Sequence, residues 1–281
     1  MNIYALSTGA VRVKHSFLFP SRGRRRQLDL FMPGAFSDPL PIHCWAIEHE
    51  GVLRLVDAGE TAAARNVPFA RMEVRREQEL PAAMAAAGLK LDDVSEVVLT
   101  HAHGDHIDGL VHVHGRVLIN QTELRFVGSP MARTMRRILR QPLPPGFAPE
   151  PMVLDGGPFG AFPRSRRLSD DGRIVAVETP GHTAGHLSVI CIDDAGRHVM
   201  LAGDATDTLE QLHARRADAI GPDPKVHVAT LKTILAHCAQ NPTVYLPSHD
   251  PDSAARLAAR TTVQVDRAND LQNRALGVAT T

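Results

Sequence analysis

The chain has 281 residues, 43% of them hydrophobic, enough for a sizeable core, and we expect one globular unit over 1–281. Its 31 basic and 31 acidic residues cancel, so the overall balance steers it toward neither nucleic acid nor an anionic membrane, and a small, weakly charged ligand is the simpler partner. Cys44, Cys191 and Cys238 lack paired spacing, and charge interrupts the opening MNIYALSTGAVRVKH, so neither a disulfide framework nor a secretory segment is expected; with no apolar run long enough to span a bilayer, the expected location is cytoplasmic.

The opening residues and Pro41 to Asp57 read as strands, the latter folding back at Glu50-Gly51. Good helix formers fill Arg75 to Ala87, and Gly88 stands where a helix commonly stops. Ser95 to Thr100 is a short β-branched strand delivering the chain into HAHGDHIDG. Val117 to Asn120 is another strand, followed by a helix from near Gln121. From about 128 to 167 Pro and Gly accumulate, predicting a long irregular insertion. Regular structure returns with RIVAVETP, with the strand pair LSVICID and RHVMLAGDA joined over Asp193 to Gly196, with a helix from Lys225 to Ala239, and with the strand TVYL. The Ala- and Arg-rich stretch from Asp252 predicts a final helix. Strands alternate with helices in both halves and no long period repeats, so the class is α/β and layered.

Fifteen histidines stand against two tyrosines and one tryptophan, and several are arranged. HAHGDH places His101, His103, Asp105 and His106 after an apolar strand, where one turn can aim nitrogen and oxygen donors at a common point. Such donors suit zinc, iron, manganese or cobalt rather than calcium. TPGHTAGH sets His182 beyond a strand at a Pro-Gly turn, LAGDA sets Asp204 after another, and LPSHD sets His249 after a third. A metal-competent side chain thus recurs at strand ends, where rigid scaffolds tend to carry binding groups.

On HAHGDH followed by GH, GD and SH segments, the chain resembles the metallo-β-lactamase superfamily from about Leu40 to Asp250. The resemblance implies an αββα sandwich. It matches His101, His103 and His182 to the ligands of a first metal and Asp105, His106 and His249 to those of a second, with Asp204 as the bridging carboxylate. Asp57 in VDAG matches a supporting residue. The cofactors implied are two divalent metal ions, zinc first, with manganese, iron or cobalt as alternatives. They would lower the pKa of a shared water to give a nucleophilic hydroxide, and Asp105 could pass a proton to the leaving atom. Asp105 and Asp204 are therefore the candidate catalytic residues.

Within the superfamily the chain is most similar to N-acyl homoserine lactonases and related lactonases, which implies a small-molecule lactone or ester substrate. Asp204 disfavours the β-lactamases, and the complete second ligand set disfavours the mononuclear persulfide dioxygenases. A thioesterase of the glyoxalase II type, or another ester hydrolase, is the alternative. One position departs from the lactonase pattern: GDATD puts Asp207 where those enzymes commonly carry a tyrosine, and neither Tyr4 nor Tyr245 stands there.

In PMARTMRRILRQ, Met131, Met135, Ile138 and Leu139 recur at helical spacing opposite Arg133, Arg136, Arg137 and Arg140. That apolar face reads as ordinary core or as a homodimer contact, or as a wall for an acyl chain. His112 and His114 are read as structural, His186 as a residue supporting the ligands or a core hydrogen-bonding residue, and SRGRRR (Ser21 to Arg26) as a solvated loop, with contact to an acidic ligand or partner as the alternative. His15, His43, His49, His198, His213, His227 and His237 carry no signal.

Overall fold

The computed structural model describes residues 1–21, 23 and 25–265. Among them, β1 (Asn2–Val13), β2 (Leu40–His49), β3 (Val52–Val56), β4 (Ala70–Glu73), β5 (Val94–Leu99), β6 (Arg116–Asn120) and β7 (Glu150–Met152) form one sheet in the order β4-β1-β2-β3-β5-β6-β7. A second sheet runs β12-β11-β10-β9-β8, made of β8 (Ser165–Arg167), β9 (Ile174–Glu178), β10 (Leu187–Ile192), β11 (His198–Gly203) and β12 (Thr243–Pro247). The helices are α1 (His15–Leu18), α2 (Arg25–Leu28), α3 (Leu80–Ala86), α4 (Gly104–Ile107), α5 (Gln121–Val127), α6 (Pro130–Leu139), α7 (Leu209–Ala214), α8 (Pro224–Gln240) and α9 (Ser253–Ala259).

Central strands read as unbroken apolar runs because both of their faces are covered. Alternate residues then serve different layers. Trp45, Ile47 and Val98 meet Ala176, Val189, Leu201 and Val244 in the layer between the sheets. Their neighbours Cys44, Ala46, Val97 and Leu99 face outward onto Leu80 and Met84 of α3. On the other side Val175, Met200 and Tyr245 pack beneath Leu231, Ile234 and Leu235 of α8. The expected αββα sandwich is therefore the observed architecture. Each large aliphatic side chain in these layers contributes about 1.5–3 kcal/mol on burial.

The β2–β3 hairpin forms as predicted, with Glu50 and Gly51 both at positive φ, the left-handed geometry such a turn requires. The predicted helix over Arg75 to Ala87 is shorter, a 3₁₀ turn at Arg76–Gln78 and then α3, because Pro81 is tolerated only in a first helical turn. The 128–167 stretch is less irregular than expected. It contains α6, capped by the Ser129 hydroxyl, and the short strands β7 and β8. The four-residue strand β4 and the short helices α1, α2 and α7 carry too little periodicity to be read from sequence. The C-terminal prediction from Asp252 is met by α9 as far as Ala259, and its remainder beyond 265 lies outside the described residues. All three cysteines are buried and unpaired, and no helix among the described residues is long and apolar enough to cross a membrane.

Candidate metal centre

The site is assembled at the ends of β5, β9, β11 and β12. Asp57, at the end of β3, pins the first segment: its carboxylate accepts the Thr100 N–H and hydroxyl, each at 2.8 Å. Beyond Thr100 the loop carries His101 and His103, and Asp105 and His106 follow in the first turn of α4. The Pro180-Gly181 turn presents His182. A Cβ on Gly181 would lie 2.5 Å from the His227 ring, so glycine is required where these two segments cross. Gly203, at φ 57°, turns the chain out of β11 to present Asp204. Ser248 bonds back to the Gly203 carbonyl at 3.1 Å, which sets His249 beside Asp204.

All seven residues singled out from sequence come together. His101, His103, His182 and Asp204 place one ligand-type atom each within 4.8 Å of one another, and so do Asp105, His106 and His249. His103 Nδ1 lies 2.9 Å from both His101 Nε2 and His182 Nε2. Asp204 stands between the two groups. Its Oδ2 is 3.3 Å from His182 Nε2, 3.8 Å from His101 Nε2 and 3.4 Å from His249 Nε2, while its Oδ1 is 3.2 Å from His106 Nε2.

The remaining ring nitrogens are tied down. His106 Nδ1 lies 2.8 Å from Asp57, His182 Nδ1 lies 2.7 Å from Asp218, and His249 Nδ1 donates to the Pro41 carbonyl at 2.8 Å. Each Nε2 thereby turns toward Asp204, the arrangement that orients metal-binding imidazoles. His186, expected as a supporting residue, accepts the Asp204 N–H at Nε2 and bonds Thr179 through Nδ1.

Burial, reinforced by His106 and His103, drives His101 well below the ordinary histidine range, and burial with His182 takes His103 to about 4. Burial opposes charge on the other three rings too, but there the carboxylates win. Asp204 and Asp57 hold His106 well above the ordinary range, Asp218 raises His182 to about 9, and Asp204 raises His249 to about 9. Burial likewise opposes ionisation of Asp204, which His106 and His249 nevertheless hold well below the usual carboxylate range. The carboxylates thus draw positive charge onto three of the five rings, while burial and those charged neighbours keep His101 and His103 neutral. His106 Nε2 and Asp204 Oδ1 are both buried, and although 3.2 Å apart they do not meet at hydrogen-bonding angles, so neither has a hydrogen-bond partner. Orphaned donor atoms in a buried nitrogen and oxygen set are a poor hydrogen-bond network and a good fit to divalent cations.

Four further residues carry no sequence motif. Asp218 takes the Ile220 and Gly221 N–H groups at 3.0 and 2.8 Å on Oδ1 while facing His182 with Oδ2. His227 Nδ1 lies 3.7 Å from the same carboxylate, and its Nε2 donates to the Ala205 carbonyl at 2.8 Å. Glu123, from α5, accepts the Ala102 N–H at 3.2 Å and the Gly185 N–H at 3.1 Å, joining the His101 and His182 loops. Arg26 corrects the reading of SRGRRR as a solvated loop: its guanidinium is buried and donates to the Gly221 carbonyl at 2.7 Å, holding the loop that carries Asp218. Arg22 and Arg24 lie outside the described residues. His112 pairs with Glu79 at 2.9 Å, apart from the centre, in line with a structural role. Asp207 is buried, and burial raises its carboxyl to about 6 against the pull of His249.

The metallo-beta-lactamase superfamily model matches residues 37–249, and the chain belongs to that superfamily. A probable metallo-hydrolase of Mycobacterium tuberculosis is 32% identical over 187 residues, covering 61% of this chain and 58% of that protein. A probable metallo-hydrolase of Bacillus subtilis is 30% identical over 149 residues, covering 47% of this chain and 51% of that protein. The chain thus spans 58% of the length of the mycobacterial relative. Among solved structures, an N-acyl homoserine lactone hydrolase with the product N-hexanoyl-L-homoserine at its catalytic metal centre superposes with a TM-score of 0.69 at 19% identity, covering 92% of this chain and 96% of that one. A dizinc quorum-quenching lactonase in complex with a product gives 0.63 at 17% identity, covering 89% and 87%. At such identities the likeness is one of fold.

Proposed function

We propose that this protein is a dinuclear metal-dependent hydrolase that opens lactone rings, with N-acyl homoserine lactones or related lactones as substrates. His101, His103 and His182 would hold one divalent ion, Asp105, His106 and His249 the other, and Asp204 would bridge them. The observation that carries this reading is the position of Asp204: one carboxylate directs one oxygen at His106 and the other at His182 and His249. When bound, the two ions supply Lewis acidity that lowers the pKa of water and polarises an ester carbonyl, and zinc is the first candidate.

The chain's own residues supply the rest. Asp105, with Oδ2 3.4 Å from His249 Nε2, stands at the edge of the centre and can accept a proton from the attacking water and return it to the departing alkoxide. Asp57 and Asp218 fix the rings of His106 and His182. Phe17, buried in its own apolar cluster, sets its ring edge-on to that of His182 with centroids 6.5 Å apart. Hydrolase-named relatives and the lactonases among the structural neighbours support the assignment.

Asp207 favours a second reading. A buried carboxylate in place of the expected phenol removes a donor toward a lactone carbonyl, so a thioesterase or other ester hydrolase is the alternative. The two separate in a turnover assay of zinc-loaded protein with acyl homoserine lactones, simple γ- and δ-lactones and a glutathione thioester. Ring opening as the fastest reaction is expected. Thioester cleavage far ahead of every lactone would transfer the assignment, and no turnover of either class would end it. Asp204→Ala should lower both metal content and hydrolysis.

A further inference from the structure

The apolar stripe of α6 is not in the core, which overturns the reading of that face as ordinary core packing. Met131, Met135 and Ile138 are 62%, 48% and 73% exposed, too open to enclose an acyl chain, and Leu139 alone of the stripe packs inward. Substrate class is better read from the polar groups beside the metal centre.

Six carboxylates besides Asp204 are buried among the described residues, and five of them take hydrogen bonds from the chain. Asp57 takes the Thr100 N–H, Glu60 that of Thr61, Glu123 those of Ala102 and Gly185, Asp218 those of Ile220 and Gly221, and Asp250 that of Leu209. The sixth, Asp207, takes none among the described residues, and it stands outside both proposed ligand groups. A buried carboxylate left unpaired is costly, so it marks a place where a donor arrives from outside the chain.

The position is fixed by its neighbours. The Asp207 N–H donates to the Gln211 side chain at 2.7 Å, Gln211 in turn donates to the Leu18 carbonyl at 3.3 Å, and Thr206 bonds the Tyr245 hydroxyl at 2.9 Å. The Asp207 carboxylate interacts electrostatically with His249 and His182, one from each proposed ligand group. It therefore faces the space where an ester carbonyl would approach the two ions. Unlike Asp204 Oδ1, its oxygens are not sealed from solvent.

We propose that Asp207 is a specificity residue that selects lactones carrying an N–H or O–H donor on the ring carbon next to the scissile carbonyl. The proposal rests on the lactonase reading above and gives Asp207 a use within it. An ionised carboxylate has only acceptor sites, so it repels the carbonyl oxygen and holds a donor on the adjoining carbon. A lactone lacking that donor leaves the buried oxygens unpaired, which is the condition under which a polar site rejects an analogue most strongly.

The test compares ring opening of N-hexanoyl homoserine lactone by the zinc-loaded protein with that of α-hexanoyloxy-γ-butyrolactone, in which oxygen replaces the amide N–H. Proton NMR separates ring opening from cleavage of the side ester. The amide should be opened with a kcat/KM about 10 to 100 times higher. Asp207→Leu should bring the ratio close to one, and Asp207→Asn, isosteric but uncharged, should retain only part of it. Calorimetric binding of the corresponding unreactive γ-lactams should follow the same order in Kd, which a merely structural role for Asp207 would not produce. Parent-like circular dichroism would confirm that the variants fold, and should Asp207→Leu not fold, Asp207→Asn serves in its place. Equal opening of the two lactones by the parent, or a preference undiminished in either variant, would overturn the proposal while leaving the lactonase reading in place. So would an Asp207→Asn variant that opens both lactones like the parent while Asp207→Leu opens neither, since the residue would then be a donor to the carbonyl. Opening of neither lactone by the parent would remove the lactonase reading and the proposal with it.

Discussion

Asp218→Asn probes the centre while leaving all seven proposed ligands in place. Asp218 is buried, and burial opposes its ionisation, yet His182 and the hydrogen bond to it hold the carboxyl well below the usual range. The amide oxygen of asparagine can keep the Ile220 and Gly221 N–H bonds, but its NH₂ would replace the oxygen 2.7 Å from His182 Nδ1. That group donates, so Nδ1 must accept and the ring proton must move to Nε2, the atom that faces Asp204. The loss is one charge-assisted hydrogen bond and the metal-competent tautomer. Such a bond contributes about 1.5–3 kcal/mol, which matches the ten- to hundredfold typical of residues supporting metal ligands. In a chelator competition titration with zinc, one ion should bind about 10 to 100 times more weakly. The other ion, proposed at Asp105, His106 and His249, should change by much less. Parent-like affinity for both ions would refute the argument that Asp218 prepares His182 for metal.

Other consequences follow from buried groups that are not themselves proposed ligands. Glu123→Ala removes the acceptor shared by the Ala102 and Gly185 N–H groups, and should lower unfolding free energy in urea by about 3 kcal/mol; a loss under about 1 kcal/mol would show that the loops hold each other without it. His237 is brought from 6.5 to about 4 by burial and by His198. The folded state therefore binds fewer protons than the unfolded chain between those values. Its contribution is present above pH 6.5 and drains away as pH falls toward 4, with a slope of up to about 1.4 kcal/mol per pH unit. The urea midpoint of His237→Phe should fall less steeply with acid than that of the parent, and parallel slopes would contradict the assignment.

The proposed ligands were legible because each sits one short turn beyond an apolar strand, so local pattern alone marks it. The layers were legible for a related reason: strands such as VVL and VMLA are apolar throughout, as strands covered on both faces must be. Asp218, His227 and Arg26 gave no such signal. They come from a loop, from α8 and from the N-terminal segment, and their roles exist only where those elements meet. Glu123 looks like any glutamate in the first turn of a helix until α5 is laid against the Gly185 turn, where a side chain on residue 185 would strike the Glu123 backbone. The stripe on α6 was legible as a pattern, but periodicity does not say whether an apolar face meets core or solvent.

The central claim is a pair of metal ions bridged by Asp204. Its most direct test is the metal content of the dialysed, zinc-loaded protein set beside the same measurement on Asp204→Ala, with lactone opening followed in both. The account predicts about two ions per chain in the parent, fewer in the variant, and a loss of ring opening that tracks the loss of metal. Two ions retained by the variant with undiminished ring opening would contradict it.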